Sequence, residues 1–303
     1  MPIVEVDDYH CARWLRNPHV NTILPTLTRK VNGVNYWRSR IDTPDGDYMD
    51  LDWSMIGSRK VVVVLHGLEG SSDRHYIRGI VKQYNRAGWD ALAINHRGCT
   101  GSPPLTSQIY HGGFTEDLRL VINTYGAQYD EVSLVGFSLG GNMVLKYLGE
   151  EGHTAINKVT SAVAVSVPVD LVDGAVELKR AQNKIYILRF LRTLKEKVKR
   201  AEHLYKDKID LSKVYAARNF DDFDNHMTGP MLGFTTAQEF YQFASCRPYL
   251  LDIQIPTLLV NAADDTFLGR NCYPRDIALS NPNLFLKIPK HGGHVGFKSK
   301  WKE

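Results

Sequence analysis

The chain has 303 residues, 43% hydrophobic and 23% charged, with a net charge of +4. Those are the proportions of an ordinary soluble globular protein, long enough for one large α/β domain with an insertion or for two small domains. They exclude a low-complexity chain, and so mild a charge does not imply nucleic acid as a partner. No apolar run approaches a membrane span, and residues 1–8 lack the basic start and apolar core of a signal peptide. Cys11, Cys99, Cys246 and Cys272 are scattered, with no C-x-x-C pair and no metal-like spacing. The expectation is a cytoplasmic protein with reduced thiols, needing neither a metal nor a cofactor.

The first thirty residues are punctuated by aromatics, proline and asparagine around Trp14 to His19, and read as a segment that wraps over the fold without forming an element. Residues 36–42 and 48–55 read as strands joined by Thr43-Pro44-Asp45-Gly46-Asp47, a hairpin signal because glycine tolerates positive φ. From Val61 the pattern changes. Val61-Val62-Val63-Val64-Leu65 has no polar face, as expected of a strand covered by helices on both sides. A helix over 73–87, a strand over 90–95, a helix over 115–125, strands over 131–135 and 159–167, and strands over 257–260 and 284–288 complete an alternation that predicts a mostly parallel α/β sheet. About ninety residues separate the strands at Val167 and Thr257, more than a crossover requires, so roughly 169–250 reads as an inserted helical cap on one 1–303 domain. A cap over the strand ends would shape the pocket.

The insertion is also the most basic part of the chain, with twelve Lys/Arg against five Asp/Glu between Glu177 and Lys213. Ile185, Ile187, Leu188, Leu191 and Leu194 fall at helical spacing beside those charges. Such a run suits a solvated helix face; it also suits peripheral contact with an anionic lipid surface or an acidic substrate.

Ser138 lies in Gly136-Phe137-Ser138-Leu139-Gly140, between the apolar strand 131–135 and a helical pattern over 141–148. Strand, tight turn and helix form the setting in which G-x-S-x-G presents a nucleophile; the pentapeptide alone is weak, since a serine there can also cap the helix. A serine hydroxyl needs a general base, and the base an orienting carboxylate. The strand over 257–260 runs into Asp264 and Asp265, and the strand over 284–288 runs into His291 and His294. Asp265 is preferred because it lies further past the strand end, with Asp264 open as the alternative. His294 is preferred because Gly292-Gly293 can swing it inward, with His291 open. For an oxyanion, the amides of Leu139 and of Leu68, in the His66-Gly67-Leu68-Glu69-Gly70 loop, are the candidate donors. His66 itself reads as structural.

With these residues in place the chain resembles the α/β-hydrolase superfamily over nearly its whole length, and in particular the YheT-like branch grouped with the ABHD1/ABHD3-type hydrolases. The resemblance is carried by His66 to Ser71, Asn95-His96-Arg97-Gly98-Cys99, Gly136 to Asn142, Phe220-Asp221-Asp222, Asn261 to Asp265, His291 to Phe297, and the early Asn21 to Pro25. It implies a triad of Ser138, Asp265 and His294 and hydrolysis of carboxylic esters, with a small acyl ester or lipid as substrate. Thioester or amide hydrolysis, or a non-catalytic ligand-binding use of the fold, would share the same framework. Two departures stand out. Thr266 occupies a place where the family often has proline, and only a few residues follow Phe297 where the family has a final helix, so the histidine loop is expected to be less firmly held.

Overall fold

The structure, a computed structural model, describes residues 2–5 and 9–299; Lys300 to Glu303, part of the expectation about a final helix, lie outside the described residues. The described strands are β1 (Ile3–Val4), β2 (Trp37–Asp42), β3 (Tyr48–Ser54), β4 (Lys60–Leu65), β5 (Asp90–Asn95), β6 (Glu131–Phe137), β7 (Ser161–Val165), β8 (Thr257–Val260) and β9 (Leu284–Lys287). They form one sheet in the order β1-β9-β8-β7-β6-β4-β5-β3-β2. Only β2 with β3 and β3 with β5 pair antiparallel; the rest are parallel. The β2–β3 hairpin turns as its sequence requires, with Gly46 at φ 83° and Thr43 N donating to Asp47 O at 2.8 Å.

The helices are α1 (Pro18–Thr28), α2 (His75–Arg86), α3 (Glu116–Tyr125), α4 (Leu139–Glu151), α5 (Leu171–Leu178), α6 (Lys184–Arg200), α7 (Leu211–Ala216), α8 (Phe220–His226), α9 (Thr228–Met231), α10 (Ala237–Ala244) and α11 (Arg275–Ser280). Side chains of β4 alternate between two cores. Val61, Val63 and Leu65 pack with α3 and α4 residues such as Leu118, Val121 and Met143; Val62 and Val64 pack with Ile77 and Val81 of α2. Apolar contact on both faces is why that strand carries no polar residue between Val61 and Leu65.

Helices α5 to α10 all lie between β7 and β8, and bury their own apolar residues, among them Ile187, Leu191, Val214, Phe223 and Met227. By contrast Cys246 and Leu250, just after α10, join the main core. None of the described helices is long and apolar enough to cross a membrane.

Helix α1 corrects the sequence reading of the first thirty residues. Its two prolines look like breakers, yet Pro18 sits in the first turn, where its missing N–H costs nothing. Asn17 caps that turn, its side chain accepting from His19 N and Val20 N. Pro25, further along, is tolerated inside the helix and buried.

Candidate active site

Register decides where the loops emerge. Leu65 pairs with Gly136, Phe137 with Val165, Val165 with Val260, and Val260 with Lys287. The carboxyl ends of β4, β6, β7, β8 and β9 therefore lie side by side, and the segments following them meet at one sheet edge.

Ser138 begins that meeting. It stands between β6 and α4 at φ 52° and ψ −119°, a conformation L-residues avoid, held by its own N–H to Val165 O at 2.9 Å. So sharp a turn needs glycine beside it: a Cβ on Gly136 would come 2.5 Å from Gly140 O, and one on Gly140 2.5 Å from His66 O. Every non-glycine residue at positive φ among the described residues lies in this neighbourhood, namely Glu69, Ser138, Ser166, Val295 and Phe297. Such clustering of strain marks sites whose surroundings over-determine the backbone.

His294 Nε2 lies 2.9 Å from Ser138 Oγ, and its Nδ1 lies 2.8 Å from Asp265 Oδ2. The Asp265 side chain is fully buried and that of His294 is 10% exposed. A carboxylate only accepts, so Nδ1 carries the proton and donates to Asp265, which leaves Nε2 as the acceptor for the serine hydroxyl. Asp265 also accepts from Phe267 N at 3.0 Å, so it serves as turn cap and histidine partner at once. The Phe267 ring stacks on His294 at 4.1 Å. The alternative pair is joined to itself: His291 Nδ1 lies 3.2 Å from Asp264 Oδ2, and Gly293 N donates to Asp264 Oδ1 at 2.9 Å.

The histidine loop is more firmly tied than the sequence led us to expect. His294 N donates to Thr22 Oγ1 at 2.9 Å, Val295 N to Ser166 Oγ at 2.9 Å, and Lys298 N to Asn21 Oδ1 at 3.1 Å. Helix α1 thus braces the loop from outside. Sequence reasoning assigned no role to Asn21 and Thr22, although they belong to a segment noted for its resemblance, because nothing local connects them to a histidine 272 positions away.

On the other side of Ser138 lies the loop after β4. A Cβ on Gly67 would sit 3.0 Å from Ser138 Cβ, and the next residue, Leu68, lines the same cavity as Ser138. Leu139 opens α4, where first-turn amides have no partner within the helix. His66 is fully buried between Gly67 O, 2.7 Å from its Nδ1, and His96 N, 3.2 Å from its Nε2. Burial and the neighbouring His96 ring hold its pKa well below the ordinary value, so it is a neutral structural group.

A cavity opens above Ser138 and His294, lined by Leu68 and Leu139 below and by Leu171, Leu178, Phe190, Leu194, Phe223 and Phe240 from the helices between β7 and β8. Its lining also holds Asp224, whose carboxyl is pushed up to about 6 by burial while Thr228 Oγ1 and Tyr241 OH donate to it. Among the described residues no group of three or more His, Cys, Asp or Glu is placed to hold a metal ion.

Known proteins share this fold. Residues 60–300 match the family model described as alpha/beta hydrolase fold. The Escherichia coli K12 protein named "Putative esterase YheT" is 34% identical over 296 residues, covering 94% of this chain and 85% of that protein. The phospholipase ABHD3 of Mus musculus is 30% identical, over 98% of this chain and 74% of its own. Among solved structures, the Pyrococcus furiosus esterase Pf2001 superposes with a TM-score of 0.55 at 20% identity, covering 86% of this chain and 85% of the other, a likeness of fold.

Proposed function

The chain belongs to the alpha/beta hydrolase fold family, and from that premise we propose that it is a serine hydrolase cleaving carboxylic esters of apolar acyl groups. The observation that carries this reading is the chain of contacts from Asp265 through His294 to Ser138, at 2.8 and 2.9 Å. Relatives named "Putative esterase YheT" and "Phospholipase ABHD3" support the same chemistry, and the apolar cavity suits an acyl chain.

The proposed cycle follows from the hydrogen bonds. Ser138 Oγ attacks the ester carbonyl while His294 Nε2 takes its proton, and buried Asp265 stabilises the resulting imidazolium. The amides of Leu68 and Leu139 receive the oxyanion of the tetrahedral intermediate. The intermediate collapses to an acyl-enzyme as His294 protonates the leaving alcohol; water, deprotonated by His294, then releases the acid and restores Ser138.

The outward face of α6 gives this enzyme a means of reaching lipid. Ile185 and Leu188 are 62% and 56% exposed, and Lys184, Arg189, Arg192 and Lys199 are exposed on the same helix, with Glu196 the acidic residue among them. Apolar side chains flanked by cations suit the surface of an anionic bilayer.

The test is labelling by a fluorophosphonate together with turnover of p-nitrophenyl esters of graded acyl length. Wild type should be labelled and active, and Ser138→Ala should be neither. Turnover that survives in Ser138→Ala overturns the assignment.

A further inference from the structure

Three sequence features are left unused by the proposed chemistry: Glu69 in the oxyanion loop, the Asn95-His96-Arg97-Gly98-Cys99 segment, and the basic stretch around Lys197. In the fold they converge on one point. Lys197, on α6, reaches down to place its Nζ 2.7 Å from Glu69 Oε1, 3.1 Å from Cys99 Sγ and 3.5 Å from Arg97 O. Its side chain is 15% exposed and that of Glu69 5%. The ammonium has three donors, and three acceptors take them, so none is left over for a substrate headgroup.

Glu69 is held at every polar atom class it possesses. Its N–H donates to Tyr110 OH at 3.0 Å, and that hydroxyl donates back to Glu69 Oε1 at 2.7 Å. Arg74 Nη2 donates to its carbonyl at 3.0 Å. These ties fix a non-glycine residue at φ 52°, one position after the amide proposed to meet the oxyanion. Beneath them is a solid platform: Lys197 Nζ lies 4.5 Å over the Tyr110 ring, Tyr110 stacks on His96 at 5.0 Å, and His96 meets His66 at 4.3 Å. On the other side, Phe190 and Leu194, which share the Lys197 face of α6, line the acyl cavity.

We propose that Lys197 and Glu69 are positioning residues that tie the seating of cap helix α6 to the placement of the Leu68 amide, so that the oxyanion site is complete only when the cap is closed over the acyl cavity. This rests on the serine-hydrolase reading and adds a coupling to it. A residue strained at positive φ keeps its geometry only while its surroundings enforce it. Lys197 is the part of those surroundings that the cap supplies; Tyr110 and Arg74 come from the sheet side. When α6 lifts, the Glu69 carboxylate loses its cationic partner and the loop its outer restraint.

The test compares Lys197→Met, which keeps the apolar stem and removes the charge, with Lys197→Arg, which restores a cation. Each is assayed on p-nitrophenyl butyrate for kcat and KM, and with an alkyl boronate that forms a tetrahedral adduct on Ser138. Removing an oxyanion donor costs on the order of 100–1,000-fold in kcat, so displacing one is expected to cost roughly 10–100-fold. Lys197→Met should lower kcat by that factor with KM little changed, weaken the boronate by the same factor, and be largely rescued by Lys197→Arg. Tyr110→Phe, which removes the hydroxyl between the two ends of Glu69 and keeps the stack on His96, should act in the same direction if Lys197→Met folds poorly. An unchanged kcat overturns the inference, as does a rise in KM alone, which would make Lys197 a substrate contact. Loss of turnover in Ser138→Ala alongside wild-type behaviour of Lys197→Met defeats only the coupling, whereas turnover surviving in Ser138→Ala defeats the underlying enzyme.

Discussion

Replacing Ser138 by glycine should make this protein more stable than replacing it by alanine, while both variants are inert. Ser138 stands at φ 52° and ψ −119°, and a non-glycine residue held in so sparse a region costs about 1–3 kcal/mol. Alanine keeps that strain; glycine, lacking Cβ, relieves it. Glycine gives back part of the gain, about 0.4–1 kcal/mol, through the larger freedom of the unfolded chain. Both variants lose the contact with His294 Nε2, so it cancels from the comparison. The balance favours glycine by about 1 kcal/mol. For a chain of 303 residues the entropy of unfolding converts this to a difference in Tm of roughly 1–3 °C. Scanning calorimetry and urea titration with matched m-values measure it, and fluorophosphonate labelling verifies that both variants are silent. If Ser138→Gly melts at or below Ser138→Ala, the elbow stores no strain and the reasoning built on its backbone fails.

The adjacent acid–base pairs should separate in kinetics. Asp265→Asn, which removes the acceptor that sets the His294 tautomer, should lower kcat by about 10⁴-fold with KM nearly unchanged; Asp264→Asn, whose partner is His291, should stay within about tenfold of wild type, and equal losses would dissolve the distinction. Stability should fall with acidification: burial holds His96 and His111 at about 4 in the folded state, below the unfolded value near 6.5. Their stabilising contribution is therefore present above pH 6.5 and lost as pH falls toward 4, by about 3 kcal/mol for each imidazole. Asp224, raised to about 6, contributes with opposite sign between about pH 4 and 6, so Asp224→Asn should steepen the acid loss of Tm; a flat wild-type profile between pH 7 and 4.5 would contradict the first statement, and an unchanged slope in Asp224→Asn the second. Finally, Arg189→Gln with Arg192→Gln on the outer face of α6 should weaken partition onto vesicles rich in anionic lipid by roughly 20–30-fold, at about 1 kcal/mol per cation. Vesicle sedimentation measures this, and undiminished partition would remove α6 as the docking face.

Much of the fold was legible because its signals are local. The run Val61 to Leu65, the alternation of strands with helices, and the glycines around Ser138 each report on a few neighbouring residues, and β2 to β9 lie within a few positions of the expected strands, whereas the two-residue β1 was not expected. Helix α1 escaped because proline reads as a breaker unless its place in the first turn is known, and that place depends on Asn17 serving as the cap.

The sequence by itself determined an α/β sheet, the serine on its strand-to-helix turn, and the order in which aspartates and histidines follow it. Hydrophobic period and turn chemistry act over a few residues, which is why they can be read along the chain. Only the tertiary structure decided how the candidates pair, Asp265 with His294 and Asp264 with His291, since a difference of one residue in a loop reverses which carboxylate faces inward. It alone also brought Thr22 to the histidine loop and Lys197 to Glu69, across 272 and 128 positions. Such contacts are set by how helices seat on a sheet, and no pattern within either segment encodes the distance between them.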